Sequence, residues 1–340
     1  MPLLVQLAQR LLLMCGVVFG VMTIMFVLSR VLPASPAELM LGGRPSLEMI
    51  KNVEAELGLD QPLPNQYIRF ISEAVRGDVG NSLLTQRPVL TEVRERLGAT
   101  FELTTLAIVL VLLIGLPIGI LSAVRQNSVL DNAARTVAVA GVAIPSFILA
   151  MSLQILFYGV LGWLPLQGRV DASIALDNPI KSVTGLFLVD SLLTGNWEGF
   201  SNAAAHIVLP LVTLTILLLS TVTRITRNMM IEVLREEYIR TAFAYGLPKR
   251  AIYYRYALKA TLIPILTVVG LTYGQLLGGA VVVEHVFDWP GLGSFLVSSI
   301  AQNDYPASLG ATLFLAGIYL LVNLIVDLLY AVADPRLRTA

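Results

Sequence analysis

A chain of 340 residues that is 56% apolar and 14% charged is too hydrophobic for a soluble domain, since globular proteins carry roughly 25% charged residues. Its formal net charge of zero gives no bulk field for nucleic acid. The single Cys15 excludes an intramolecular disulfide, and with only His206 and His285 beside it a cysteine- or histidine-based metal cage lacks ligands.

In chain order, the first uncharged apolar run covers 11–29. Arg10 precedes it, as in a signal peptide. The run is too long for a signal-peptide core, however, and no small-residue cleavage site follows before Pro33, so it reads as a retained anchor. The segment 33–98 is polar and reads as folded. Ser46 can cap a helix to about Leu57, with Gly58 as its stop. Pro62 and Pro64 break the chain, and Asn65 can cap a second helix to about Val75, with Tyr67, Ile71 and Val75 on one face. Gly77-Asp78-Val79-Gly80 reads as a turn. So small a unit has a meagre core and should lean on the spans.

Further apolar runs at 103–124, 136–162, 207–223, 261–283 and 305–326 bring the number of expected membrane spans to six. Pro145 should bend the third. Between the third and fourth, Trp163 and Trp197 suit the headgroup level. The piece 183–193 is too short to span and contains Asp190, so it reads as an interfacial or docked helix. Arginine and lysine crowd the segment between spans four and five (Arg224, Arg227, Arg235, Arg240, Lys249, Arg250, Arg255, Lys259), while 284–304 has none. The positive-inside rule then puts that segment, the loop 125–135 and both termini in the cytoplasm, and 33–98 outside.

Chemistry is conspicuous by its absence. No G-x-x-x-x-G-K-[ST] phosphate loop, H-E-x-x-H or paired-cysteine spacing occurs, and neither histidine sits near a nucleophile elbow. Glu102, Glu284 and Asp327 fall at or near span ends, and the central thirds of the spans are almost uncharged. Ion-coupled transporters usually place carboxylates or broken helices near the midplane. A polytopic protein that moves solute uphill with this sequence should draw its energy from a partner.

The segment from Glu237 to Pro264 supplies a place for one. A helix is expected from about Arg224 to Tyr245, continuing span four, with Gly246 as its stop and Pro248 as the first position of the next helix. By charge alone this is a solvated or lipid-headgroup-binding loop. The defined break and the apolar residues Ala242, Phe243, Ala244, Tyr245 and Leu247 argue instead for a docking knuckle.

These residues also carry a resemblance. Glu237-Tyr238-Ile239-Arg240-Thr241-Ala242-Phe243-Ala244-Tyr245-Gly246-Leu247 resembles the cytoplasmic coupling motif of ABC importer permeases, specifically the B-type subunit of the dipeptide, oligopeptide and nickel group. Gly58–Pro62, Gly77–Ser82, Ala99–Leu103, Phe287–Gly293, Asp304–Pro306, Asn323–Tyr330 and Asp334–Arg336 match along nearly the whole chain. The resemblance implies an all-α polytopic membrane protein with six transmembrane helices and the type I ABC importer permease fold. Residues 1–32 would be the amino-terminal anchor, 33–96 a small external helical segment and 97–330 the transporter core with its coupling loop at 224–260. Residues 331–340 would be a cytoplasmic tail.

It further implies residence in the bacterial inner membrane and a heterodimer with a second homologous permease. Two cytoplasmic ATPases would use ATP and magnesium, and an external solute-binding protein would deliver cargo. The chain itself would bind no cofactor and no nucleic acid, and its only other contact would be membrane lipid. The coupling role falls on Glu237, Arg240, Thr241, Ala242, Phe243, Tyr245, Gly246 and Leu247. Ala242 would allow close approach and Gly246 the sharp turn. Glu237 and Arg240 would anchor, or would pair with each other within the helix.

Two departures stand out. The family usually has basic residues where this chain has Phe243 and Tyr245, and Ala34-Ser35-Pro36 replaces the usual Gly-Asp-Pro. Peptides are the expected cargo, with nickel, glutathione or another small solute as alternatives. Thr272, Gly274, Gln275 and Gly278 in span five are candidates for a substrate path, although helix packing explains the glycines more economically. A secondary transporter driven by an ion gradient, a membrane-embedded enzyme and a non-transporting scaffold are the rival classes.

Overall fold

The computed structural model describes residues 3–31 and 60–333, with isolated positions between 46 and 55. The expected Gly58 stop, the Ala34-Ser35-Pro36 turn and the Asp334-Pro335-Arg336 match lie outside the described residues. The backbone N–H of Met49 donates to the Ser46 hydroxyl at 3.3 Å, the bond expected of a helix cap.

All regular structure among the described residues is helical. The long elements are α1 (Leu3–Val31), α3 (Val89–Val124), α8 (Trp197–Val233), α11 (Leu258–Gly279) and α14 (Tyr305–Ala333). The short helix α2 (Leu63–Val75) precedes α3. Between α3 and α8 come α4 (Val129–Ala143), α5 (Ser146–Gln154) with a π-helical turn (Ile155–Val160), α6 (Ala172–Asp177) and α7 (Phe187–Thr194). After α8 come α9 (Glu237–Ala244), the single turn α10 (Lys249–Ala251) and a π-helical turn (Ile252–Ala257) leading into α11. Two helices, α12 (Val281–Val286) and α13 (Leu292–Ala301), separate α11 from α14.

Among the described residues, four helices (α1, α3, α8 and α14) are each long and apolar enough to cross a membrane. A fifth crossing needs the bent pair Lys249–Leu262 and Pro264–Gly274, which turns by 56° at Pro264. The expected third span does not form one helix. Pro145 has no amide hydrogen to donate and its ring clashes with the preceding turn, so 136–162 divides into α4 and α5. Other expectations shift for similarly local reasons. The second helix expected within 33–98 starts at Leu63 with Pro62 as its cap, because both prolines suit a first turn, and Asn65 lies inside that turn. It does lean on α1: Tyr67 stacks edgewise on Phe26 at 5.1 Å and shares a 2.7 Å hydrogen bond with Thr23.

α3 runs unbroken for 36 residues, about 54 Å, well beyond the roughly 30 Å of a hydrocarbon core. It packs along α8 and takes part in three buried clusters, the first formed by Val89 and Val93 with Leu292, Phe295, Ala307 and Ala311. Near its middle, Leu103 and Ala107 meet Leu209, Leu276, Phe287 and Trp289. At its carboxyl end, Ile120 and Ala123 meet Met230, Ile239, Ala242 and Ile252.

Candidate functional site

The basic segment folds as a separate knuckle. The helix expected to continue span four ends at Val233, and a turn over 234–236 redirects the chain into α9. The redirection gives α9 two faces. Ile239 is fully buried and Ala242 nearly so, and both join the cluster formed by Ile120, Ala123, Met230 and Ile252. Glu237, Tyr238, Arg240, Thr241, Phe243 and Tyr245 point outward, with Tyr245 82% exposed. The close approach expected of Ala242 is therefore to the chain's own helices. Glu237 and Arg240 form no ion pair with each other, and both remain solvent-facing.

Gly246 closes α9 at φ +71°, the left-handed region that side chains avoid. The Leu247 amide donates to the Ala242 carbonyl at 3.2 Å, and the Gly246 amide to the Phe243 carbonyl at 3.0 Å. This is a Schellman ending, which satisfies carbonyls that a free helix end would leave bare. Pro248 comes next as the cap of α10 rather than its first residue, accepting from Ala251 and Ile252.

The residues that lead into and open α4 are tied to α8 ahead of the knuckle. Arg227 near the end of α8 donates to both oxygens of Asp131 at 2.6 and 2.9 Å, and the Asn127 amide donates to the same carboxylate at 2.9 Å. Arg227 is thus a strut rather than a free surface charge. Its guanidinium, outweighing the cost of burial, holds the Asp131 carboxyl below the usual carboxylate range.

Away from the knuckle, in the first half of α3, Ala99, Thr100 and Glu102 hold the loops. The Ala99 carbonyl accepts from the Trp289 indole at 3.0 Å. The Thr100 hydroxyl donates to Glu284 at 2.7 Å and accepts from the Leu292 amide at 2.8 Å. Glu284 also receives the Gly293 and Ser294 amides, capping α13. Gly291 is obligatory there, because a Cβ would lie 2.4 Å from the Glu284 carboxylate carbon.

Glu102 pairs with Arg169 at 2.6 Å and receives the amides of Phe187 and Leu188, capping α7. Asp190 on α7 is fully buried and accepts from Val183, Thr184 and Gly185, so the short apolar piece is a docked helix. Burial raises its carboxyl, but these donors together outweigh burial and bring it below the ordinary range. Asp304 receives the Ser82 hydroxyl at 2.5 Å and the Leu83 amide, tying the Gly77–Ser82 turn to the start of α14. Apart from these contacts, the spans place Thr272 in a buried position and press Gly274 against Tyr319, where a Cβ would come within 2.9 Å of the ring. Packing accounts for Gly274. The side chains of Gln275 and Asp327 and the surroundings of Gly278 lie outside what the structure describes.

Residues 115–339 match the family described as "Binding-protein-dependent transport system inner membrane component", and 3–104 match its amino-terminal companion. The chain is 47% identical to the probable D,D-dipeptide transport system permease protein DdpB of Escherichia coli (strain K12), covering 94% of each. It is 40% identical to the dipeptide transport system permease protein DppB of Alkalihalophilus pseudofirmus, covering 97% of this chain and 98% of the other. The glutathione transport system permease protein GsiC of Pectobacterium atrosepticum is 36% identical, with 97% of each chain covered. Family matches over 3–104 and 115–339, relatives aligned end to end and several apolar helices leave one assignment. The chain belongs to the inner-membrane permease components of binding-protein-dependent ABC transport systems, a membrane transport subunit whose ATPase and solute-binding functions reside in separate partners.

Proposed function

We propose that this chain is one half of a permease pair importing di- or oligopeptides, driven by two cytoplasmic ATPases and supplied by an external binding protein. In this reading both termini are cytoplasmic and the helix divided at Pro145 counts as one of six passes. The observation that carries the coupling role is the division of α9 into two faces. Its inner face, Ile239 and Ala242, is built into the same cluster as α3, α8 and the start of α11, so a push on α9 reaches three spans. Its outer face offers Glu237, Arg240, Thr241, Phe243, Tyr245 and Leu247 to a partner, and Gly246 shapes the turn that presents them.

α3 extends the path. One unbroken helix joins the knuckle cluster to the Ala99–Glu102 anchor, which holds the loops of the opposite, external end. In this reading, ATP-driven closure of the ATPases against α9 is passed outward along this continuous helix, which carries Pro117 between the two contacts. The peptide cargo follows the relatives named for dipeptides. The relative named for glutathione, itself a small peptide, keeps that solute within the same class.

The contact is tested by placing cysteine at the exposed Tyr245 in a Cys15→Ser background and cross-linking the assembled transporter. A product joining this chain to an ATPase subunit is expected. Tyr245→Cys joining only lipid or the second permease would overturn the coupling assignment. Cargo is tested by identifying the solute retained by the purified binding protein, where peptides are expected and a bare metal ion would overturn the peptide reading.

A further inference from the structure

Beside the knuckle, Tyr238 of α9, Arg255 of the second π-helical turn and Tyr256, Lys259 and Ala260 line an open depression. Among the described residues neither Arg255 nor Lys259 has a carboxylate within ion-pair distance, and both are exposed. Burial, and then the charge of Glu236, push the Tyr238 phenol above its usual range, so it keeps its proton and can donate. Even with Glu236 counted, two cations leave the depression positive.

The adjoining residues of α11 set its depth in the membrane. Lys259 directly precedes the apolar stretch of α11, and Thr261 is buried against Met230 of α8. Tyr254 and Tyr256, 46% and 42% exposed, flank it as interfacial aromatics do. Below Lys259, Leu262 follows at helical spacing and Leu266 lies just past the 56° bend at Pro264, and each is 37% exposed. The occupant must therefore be anionic at one end and hydrocarbon at the other. Neither a free anion nor an acidic protein loop meets both demands.

We propose that Tyr238, Arg255 and Lys259 bind the phosphate of an anionic phospholipid whose acyl chain lies along Leu262 and Leu266. Because Tyr238 belongs to α9 and Lys259 leads into α11, the lipid bridges the knuckle and the span after it.

The test is titration of the detergent-solubilised, fully assembled transporter with fluorescent phosphatidylglycerol, with phosphatidylcholine of the same chain length as the uncharged-head comparison. Binding of phosphatidylglycerol is expected to weaken about 30-fold in the Arg255→Gln/Lys259→Gln double variant, the effect of two headgroup-level cations at about tenfold per 1.4 kcal/mol. The Arg255→Lys/Lys259→Arg variant should retain it, which separates lost charge from misfolding. Unchanged affinity in the double variant would overturn the site. So would equal binding of phosphatidylcholine, or displacement by 10 mM inorganic phosphate, which would make this a soluble-anion site. Loss of lipid binding whenever the ATPases are attached would assign the surface to a protein contact and overturn it equally.

Discussion

Gly246 shows how much a single residue settles. Its φ of +71° costs glycine nothing, and no atom stands within 4 Å of where a Cβ would go. A Gly246→Ala substitution should therefore cost only backbone strain, about 1–2 kcal/mol, read as roughly 5- to 30-fold faster hydrogen exchange at the Leu247 amide. The glycine was legible in the sequence because a helix stop has a signature. The orientation of Ala242 was not, since nothing local says that α8 turns at 234–236 and sets α9 with Ile239 and Ala242 inward.

Asp131 and Arg227, likewise, look like unrelated loop and span-end charges until the fold brings them within 2.6 Å. Removing one partner of a buried pair should cost on the order of 3 kcal/mol, so Asp131→Asn is expected to lower the thermal midpoint of the detergent-solubilised protein. Because the folded-state carboxyl is depressed, its stabilisation is fully present above the unfolded carboxylate value, about 3.9, and is lost only as pH falls further, through the folded value. Its contribution should accordingly be flat between pH 6 and 8. A midpoint difference between Asp131→Asn and the parent that changes across that range would contradict the assignment.

At the scale of elements, the long helix α3 organises the molecule. Its apolar stretch was readable as a span, but its extension to Val89 was not, because Glu92, Arg94, Glu95 and Arg96 read as a polar external segment. Arg96 and Arg87 neutralise the buried Glu92, and that pairing lets the helix run on beyond the bilayer. The Ala99–Leu103 and Phe287–Gly293 matches were visible as patterns, yet their partnership spans 184 residues between Thr100 and Glu284 and leaves no periodic trace.

Thr100→Val keeps the shape and removes the hydroxyl, so Glu284 loses a donor and the Leu292 amide an acceptor. Buried groups left unsatisfied cost about 1–3 kcal/mol each. We expect a lower thermal midpoint for Thr100→Val and a value close to the parent for Thr100→Ser. Equal midpoints for valine and serine would show that the clasp contributes nothing. Pro145 illustrates the reverse case, where the sequence signal for a bend was correct but understated, since the helix divides rather than curves.

For the whole molecule, the scarcity of charge in the spans and the absence of a phosphate loop pointed to an external motor, and membership of the binding-protein-dependent family agrees with that division of labour. The assembled complex in vesicles should accumulate peptide only with ATP on the knuckle side, and collapse of ion gradients should leave uptake unchanged. ATP-free uptake by this chain alone on an ion gradient would reinstate a secondary transporter.

The central claim is that the 237–247 knuckle carries the motion, and uptake by two substitutions there tests it most directly. Gly246→Pro cannot adopt φ +71° and removes the amide bonded to Phe243, while Ala242→Arg drives a cation into an apolar cluster. Both variants should remain in the membrane and lose ATP-driven peptide uptake. Normal uptake by both would contradict the account.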